Sequence, residues 1–276
     1  MLPEIEGFFR TDKLPHMWCP GCGNGIVLHG LVKAIAELGL DKNKVTIVSG
    51  IGCSARAAAY LDFDTVHTTH GRALAFATGI KLARPELNVF VLMGDGDCSA
   101  IGGNHLIHAA RRNIDLTALV FNNSIYGMTG GQASPMTPSG KRATTAPTGT
   151  LERSFDLCEL ARAAGATMVG RATAFHTRLL TGLLVKGHRN KGFSLVEVIT
   201  QCPTAYGRRN KMGQPADMLR WQKEHAVDIK AARNMDSGQL QDKIIIGELH
   251  RSTAPELTTR YRQLIQELRE GGGFLD

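Results

Sequence analysis

Short apolar runs alternate with longer amphipathic stretches from about residue 24 to residue 200, and no other feature limits the fold of this chain as much. The runs at 45–49, 65–68, 89–93, 116–121, 167–169 and 194–199 read as strands. Several, such as VFVLM and TALVF, are apolar at nearly every position, as strands covered on both faces are. The Ala- and Leu-rich segments at 24–38, 72–83, 102–112, 154–164 and 177–188 have helical length and periodicity. Strand and helix in succession predict an α/β fold, a mostly parallel sheet flanked by helices. Ligands of such sheets bind beyond the carboxyl ends of the strands. The residues that follow each strand are therefore the first candidates for function.

Two regions depart from the alternation. In 129–150, 15 of 22 residues are Gly, Pro, Ser or Thr, and a loop of that length leaving a strand end is expected to be functional. Beyond residue 205 the chain turns polar, with helical patterns near 217–232 and 257–268. The expected division is a core over 1–205 and a C-terminal extension over 206–276. No apolar run approaches the ~20 residues of a membrane helix, and the opening residues lack a secretory pattern, so a cytoplasmic protein without a membrane is expected. The formal charge of +7 suits phosphorylated cofactors or an acidic protein partner. With only two Trp and four Tyr to stack on bases, no nucleic-acid partner is expected.

The run 89–93 ends in GDGD, Gly94 to Asp97, followed by a helix. Glycine at a strand-to-helix turn lets backbone N–H groups approach a phosphate. Carboxylates beside that phosphate would repel it unless a divalent cation lay between them, and Mg²⁺ favours one or two protein oxygens plus phosphate oxygens. The run 116–121 ends in NNSIYGMTGGQ. Gly94-Asp95-Gly96, then 25 residues, then Asn122-Asn123 resembles the thiamine diphosphate motif. That resemblance implies a thiamine-diphosphate-binding fold of the diphosphate type, with Asp95, Asn123 and the Ile125 carbonyl on Mg²⁺. Gly94, Gly96 and Asp97 would lie at the diphosphate, and Gly127, Met128 and Thr129 beside the cofactor. Enzymes of this kind also need a glutamate from a pyrimidine-binding domain to activate the cofactor. The chain has room for one such domain, so a second subunit is expected to supply that glutamate.

Six cysteines in a cytoplasmic chain of this size point to metal, redox or packing roles rather than a disulfide framework. Cys98 and Cys158 fall inside expected helices and read as buried packing. Cys19 and Cys22 form a Cys-x-x-Cys pair, while Cys53 and Cys202 follow strands. Four thiolates suit a tetrahedral zinc or a [4Fe–4S] cluster, and spacing alone leaves both open, with unligated thiols a third possibility. Position adds that Cys53, in GIGCS, shares the cofactor edge of the sheet, where a redox centre could exchange electrons with the cofactor.

WCPGCGNG, SGIGCS, HTTHGRALAFATGIKLARP, GDGDCSAIGGNH, NNSIYGMTGGQASPMTP and EVITQCPT, in this order, resemble the β subunit of 2-oxoacid:ferredoxin oxidoreductases. The resemblance implies that Cys19, Cys22, Cys53 and Cys202 ligate one [4Fe–4S] cluster and that Ile51, Gly52, Cys53 and Ser54 line the thiazolium side of thiamine diphosphate. It implies an α-subunit partner with the pyrimidine domain, in a heterodimer or a dimer of heterodimers. The implied reaction is oxidative decarboxylation of a 2-oxoacid with coenzyme A, electrons leaving to ferredoxin, in a direction that can reverse. Gly130 and Gly131 in MTGGQ point to 2-oxoglutarate as the substrate. His70 and Arg72, after the run 65–68, are the candidate catalytic residues; a helix-start histidine and a solvated arginine are the alternative. Two other functions compete: a non-redox thiamine diphosphate decarboxylase or ligase with structural zinc, and a non-catalytic electron-transfer subunit.

Overall fold

The computed structural model describes residues 3–270; the outermost residues of the two expected regions, 1–2 and 271–276, lie outside it. The strands are β1 Val45–Ser49, β2 Asp64–His67, β3 Asn88–Gly94, β4 Thr117–Asn122, β5 Met168–Thr173, β6 Ser194–Ile199, β7 Ala226–Asp228 and β8 Ile244–Arg251. The helices are α1 Pro3–Glu6, α2 Asn24–Glu37, α3 Ala73–Ala83, α4 Gly103–Arg112, α5 Leu157–Ala163, α6 Thr177–Arg189, α7 Pro215–His225, α8 Ile229–Ala232 and α9 Leu257–Arg269. Among the described residues the strands form one eight-stranded sheet in the order β2-β1-β3-β4-β6-β5-β8-β7. The first six strands run parallel, and β8 joins β5 antiparallel.

The apolar runs are explained by burial on both faces. Phe90 and Leu92 of β3 pack with α2 and α6, while Val89, Val91 and Met93 pack on the opposite face with α3, α4 and α5. A strand that alternates between two cores cannot alternate in polarity. The chain moves outward from β1 to β2, then returns to start β3 on the other side of β1. This reversal opens a crevice at the carboxyl ends of β1 and β3, the usual ligand position in open α/β sheets.

Beyond residue 205 lie two strands that the hydrophobic pattern does not announce. The expected helix over 217–232 is split: α7 ends at His225, and Ala226–Asp228 pairs with Ile244–Ile246. Strand β8 is half-buried at the sheet margin and antiparallel, outside the strand–helix rhythm of the core. No helix of the described residues is long and apolar enough to cross a membrane.

Candidate active site

Four neighbouring parallel strands deliver their carboxyl ends to one edge: Ile51–Ser54 follows β1, Asp95–Asp97 follows β3, Asn123–Thr129 follows β4, and Thr200–Cys202 follows β6. Register pairs Gly94 with Phe121 and Asn122 with Ile199, so the Gly-Asp-Gly and Asn-Asn turns leave the sheet side by side. The turns after β1, β3 and β4 line a cleft of about 130 Å³. Its walls include Ile51, Gly52, Cys53 and Ser54 from the first turn and Gly94, Asp95, Gly96 and Asp97 from the second. Asn123, Ile125, Gly127, Met128 and Thr129 close it from the third, with His70 at the side.

Asp95 is 2% exposed, and burial pushes its carboxyl up to about 7. Ser134 donates its hydroxyl to Asp95 Oδ2, and backbone N–H groups of Gly96 and Asn123 also face the carboxylate. Asn123 Oδ1 accepts from Ile125 N at 3.3 Å, an Asx turn that keeps Asn123 and the Ile125 backbone together. A buried carboxylate with an amide oxygen and a backbone carbonyl is a hard-oxygen donor set that suits Mg²⁺, whose charge would offset the burial of Asp95. Gly96 leaves room for the Tyr126 ring at the cleft wall. A Cβ there would lie 2.2 Å from the Tyr126 ring, whose hydroxyl donates to the Gly96 carbonyl at 3.2 Å.

Asp97 lines the cleft, but its carboxylate serves neighbouring turns. Oδ1 accepts from Gly71 N at 2.7 Å and Ile51 N at 3.4 Å, and lies 2.7 Å from His70 Nδ1. Burial raises its pKa against the lowering effect of these N–H groups and of His70. Oδ2 points at Gly50, where a Cβ would sit 1.7 Å away. Asp97 thus ties the β1, β2 and β3 turns together and holds His70 at the cleft. Arg72 does not join it. Its guanidinium donates to the Ile101 carbonyl and approaches His105 Nε2, both at 3.1 Å, so of the catalytic pair expected from sequence only His70 reaches the site.

The cysteines converge from three directions. Cys53 Sγ and Cys202 Sγ each lie 3.6 Å from the point a Cβ on Gly127 would occupy. The Cys19–Cys22 turn is docked beside them. Trp18 Nε1 donates to the Cys53 carbonyl at 2.7 Å, Gly23 N to the Gln201 carbonyl at 3.1 Å, and Gln201 Nε2 to the Gly21 carbonyl at 3.1 Å. Burial pushes the Cys22 thiol up to about 12 and the Cys53 thiol up to about 11, and the other thiols of the group add to both rises. Burial also raises Cys202. Thiols so placed become good ligands when a cationic centre compensates their charge. Among the described residues no three His, Cys, Asp or Glu side chains close on a point as tightly as a single ion needs.

Cys98 and Cys158 are buried away from this group. The 129–150 loop folds back on the site through Ser134 and through Thr137 Oγ1, which donates to the Ser124 carbonyl at 2.6 Å. Its far end is held by Asn210, which exchanges hydrogen bonds with the Arg142 backbone at 2.8 and 3.0 Å. Sequence reasoning gives Ser134, Trp18 and Tyr126 no role. The only signal each carries is its place inside a motif, Trp18 in WCPGCGNG and Tyr126 and Ser134 in NNSIYGMTGGQASPMTP.

Comparison with known proteins identifies the family. Residues 50–198 match the thiamine pyrophosphate enzyme, C-terminal TPP-binding domain. The chain is 53% identical to 2-oxoglutarate synthase subunit KorB of Methanothermobacter marburgensis over 94% of its length and 91% of that protein. It is 52% identical to the KorB subunit of Methanocaldococcus jannaschii, covering 98% and 99% of the two chains. Among solved structures, 2-oxoglutarate:ferredoxin oxidoreductase from Magnetococcus marinus, with 2-oxoglutarate, coenzyme A and succinyl-CoA bound, superposes with a TM-score of 0.84 at 34% identity. That match spans 97% of this chain and 91% of the other.

Proposed function

This chain belongs to the family of 2-oxoglutarate synthase and 2-oxoacid:ferredoxin oxidoreductase β subunits, and from that membership we propose that it is the thiamine-diphosphate-binding subunit of an enzyme converting 2-oxoglutarate and coenzyme A to succinyl-CoA. Electrons leave through a [4Fe–4S] cluster to ferredoxin. A second subunit brings the pyrimidine-binding domain and its glutamate, in a heterodimer or a pair of heterodimers that works in the cytoplasm. Residues 1–205 form the cofactor-binding core and 206–276 an extension of it.

Thiamine diphosphate supplies the nucleophile and the electron sink for decarboxylation. The chain's own part is to hold and to insulate. Asp95, Asn123 and the Ile125 carbonyl would hold Mg²⁺, whose charge would offset that of a diphosphate, and Gly94, Gly96 and Asp97 would line the diphosphate side of the cleft. Ile51, Gly52 and Ser54 flank the thiazolium, and Gly127, Met128 and Thr129 the rest of the cofactor. His70, braced by Asp97, faces the cleft as the side chain available to the substrate. Cys19, Cys22, Cys53 and Cys202 hold the cluster.

One observation carries the assignment: the turn that lines the cofactor cleft with Ile51, Gly52 and Ser54 also presents the Cys53 thiol beside Cys202. A redox centre bound there would share that loop with the cofactor. The test is anaerobic purification with the partner subunit. The complex should be brown, bleach with 2-oxoglutarate, and form succinyl-CoA when coenzyme A is added. A colourless zinc protein that releases carbon dioxide would support the non-redox decarboxylase instead. A brown protein that no 2-oxoacid bleaches would make the chain an electron-transfer subunit.

A further inference from the structure

Strand β6 carries a charge where its neighbours are apolar. Glu197 lies in SLVEVI, is 1% exposed, and is in register with Val120 of β4 and Arg171 of β5. Arg171 Nε donates to Glu197 Oε2 at 2.6 Å, and Arg171 Nη2 reaches Asp156 Oδ1, also at 2.6 Å. The Cys158 thiol donates to the same Glu197 oxygen at 3.3 Å. A buried ion pair at a sheet centre is seldom the most stable filling; apolar residues of similar volume do as well or better. Stability therefore gives no reason for a carboxylate at this position.

The other carboxylate oxygen supplies one. Glu197 Oε1 accepts from Asn122 Nδ2 at 2.7 Å. A carboxylate only accepts, so this bond fixes which way the Asn122 amide faces. The amide oxygen is thereby turned to the chain ahead, where it accepts from Ser124 N at 3.1 Å. Ser124 has φ 59°, a left-handed conformation that a non-glycine residue holds only when its surroundings impose it. Thr137, by donating to the Ser124 carbonyl, completes the clamp. Asn123 stands between the two clamped residues, and Ile125 follows directly.

We propose that Glu197, held by Arg171, is a positioning residue for the divalent-cation site: through Asn122 it sets the left-handed turn that directs the Asn123 amide and the Ile125 carbonyl toward Asp95. This rests on the assignment of Asp95, Asn123 and Ile125 to the cation. The chain of contact runs from Arg171 to Glu197, Asn122 and Ser124, none of them among the residues assigned to the ion. Residues in this relation to a metal commonly change its affinity by about 10–100-fold when replaced.

The test uses the full complex with its partner subunit, stripped of cofactor and divalent ions. Mn²⁺ serves as a paramagnetic probe, titrated with thiamine diphosphate present, and thiamine diphosphate is then titrated at fixed Mg²⁺. Asn122→Ala leaves the ion pair in place and should weaken both by about tenfold or more. The paired replacement Glu197→Leu with Arg171→Met removes both charges together and should do the same. The iron–sulfur absorbance and the melting temperature of the stripped complex should stay near the parent's. Adding Glu197→Gln to Asn122→Ala should cause no further loss, because both cut the same strut. Mn²⁺ and thiamine diphosphate binding within twofold of the parent in Asn122→Ala would overturn the proposal. Asp95→Asn separates the two levels. If it abolishes Mn²⁺ binding while Asn122→Ala does not, the cation site stands and the positioning role falls. If it leaves Mn²⁺ binding intact, the site assignment itself falls and takes the role with it.

Discussion

Gly96 shows what a single glycine does at this site. Its φ of −70° is one that any residue adopts, so backbone freedom is not what the position demands. It demands room, since a Cβ would fall 2.2 Å from a rigid aromatic ring. Gly96→Ala should displace Tyr126 into the cleft and weaken thiamine diphosphate binding by tenfold or more in a titration of the complex. Gly79 gives the opposite expectation. It lies inside α3 with nothing within 4 Å of its missing Cβ. Gly79→Ala should raise unfolding stability by about 0.5–1 kcal/mol, read from a denaturant midpoint, with cofactor binding unchanged. From sequence the two glycines look alike; only the neighbours in space separate them. The same holds for Arg72, whose proximity to His70 along the chain suggests a shared role, whereas its guanidinium is turned to Ile101 and His105. The motif residues were legible because their chemistry depends on position along strand ends. Ser134 was not, since one serine in a loop of Gly, Pro, Ser and Thr carries no mark of the carboxylate it will meet.

At the scale of elements, strands β1, β3, β4, β5 and β6 were readable because burial on both faces leaves few polar residues in them, whereas β2 is an exposed edge strand. Strand β8 was not readable for the converse reason: at the sheet margin it is half exposed and its composition is mixed. Glu197 could have been noticed as the one charge in an apolar strand, although its partners on β4 and β5 could not. The Cys-x-x-Cys turn makes its own prediction. A Cβ on Gly23 would meet Thr200 Oγ1 at 2.0 Å and Gln201 Oε1 at 2.5 Å, within the segment that leads to Cys202. Gly23→Ala should push the turn off the end of β6 and lower the cluster content of anaerobically purified protein by more than half, measured as iron per chain. Full iron content in that variant would show that the turn tolerates the shift.

Over the whole molecule two properties can be measured. His188 stacks on Phe90 with ring centroids 5.2 Å apart, and burial lowers its pKa below the usual value near 6.5. The unfolded chain therefore binds a proton more readily than the folded one, and stability is lost as pH falls below about 6.5. His188→Leu should flatten that decline between about pH 6.5 and 5 in a series of melting curves. The formal charge of +7 makes the second prediction. The rate of electron transfer to an acidic ferredoxin should fall steeply with ionic strength, and a rate indifferent to salt would remove long-range attraction from the account of docking.

The four thiols belong to residues 19, 22, 53 and 202, and Cys202 is delivered by the strand that emerges late in synthesis. As the proposed ligand set, three of these thiols come early in the chain and the fourth joins them only when β6 has inserted between β4 and β5. A nascent chain halted before that point can offer iron only part of its coordination shell. On the proposed ligation, a complete set of ligands exists only after the core has folded. Loss of a cluster held in that way would free the Cys19–Cys22 turn from Cys53 and Cys202 while the sheet between them, secured by its own hydrogen bonds, stays in place.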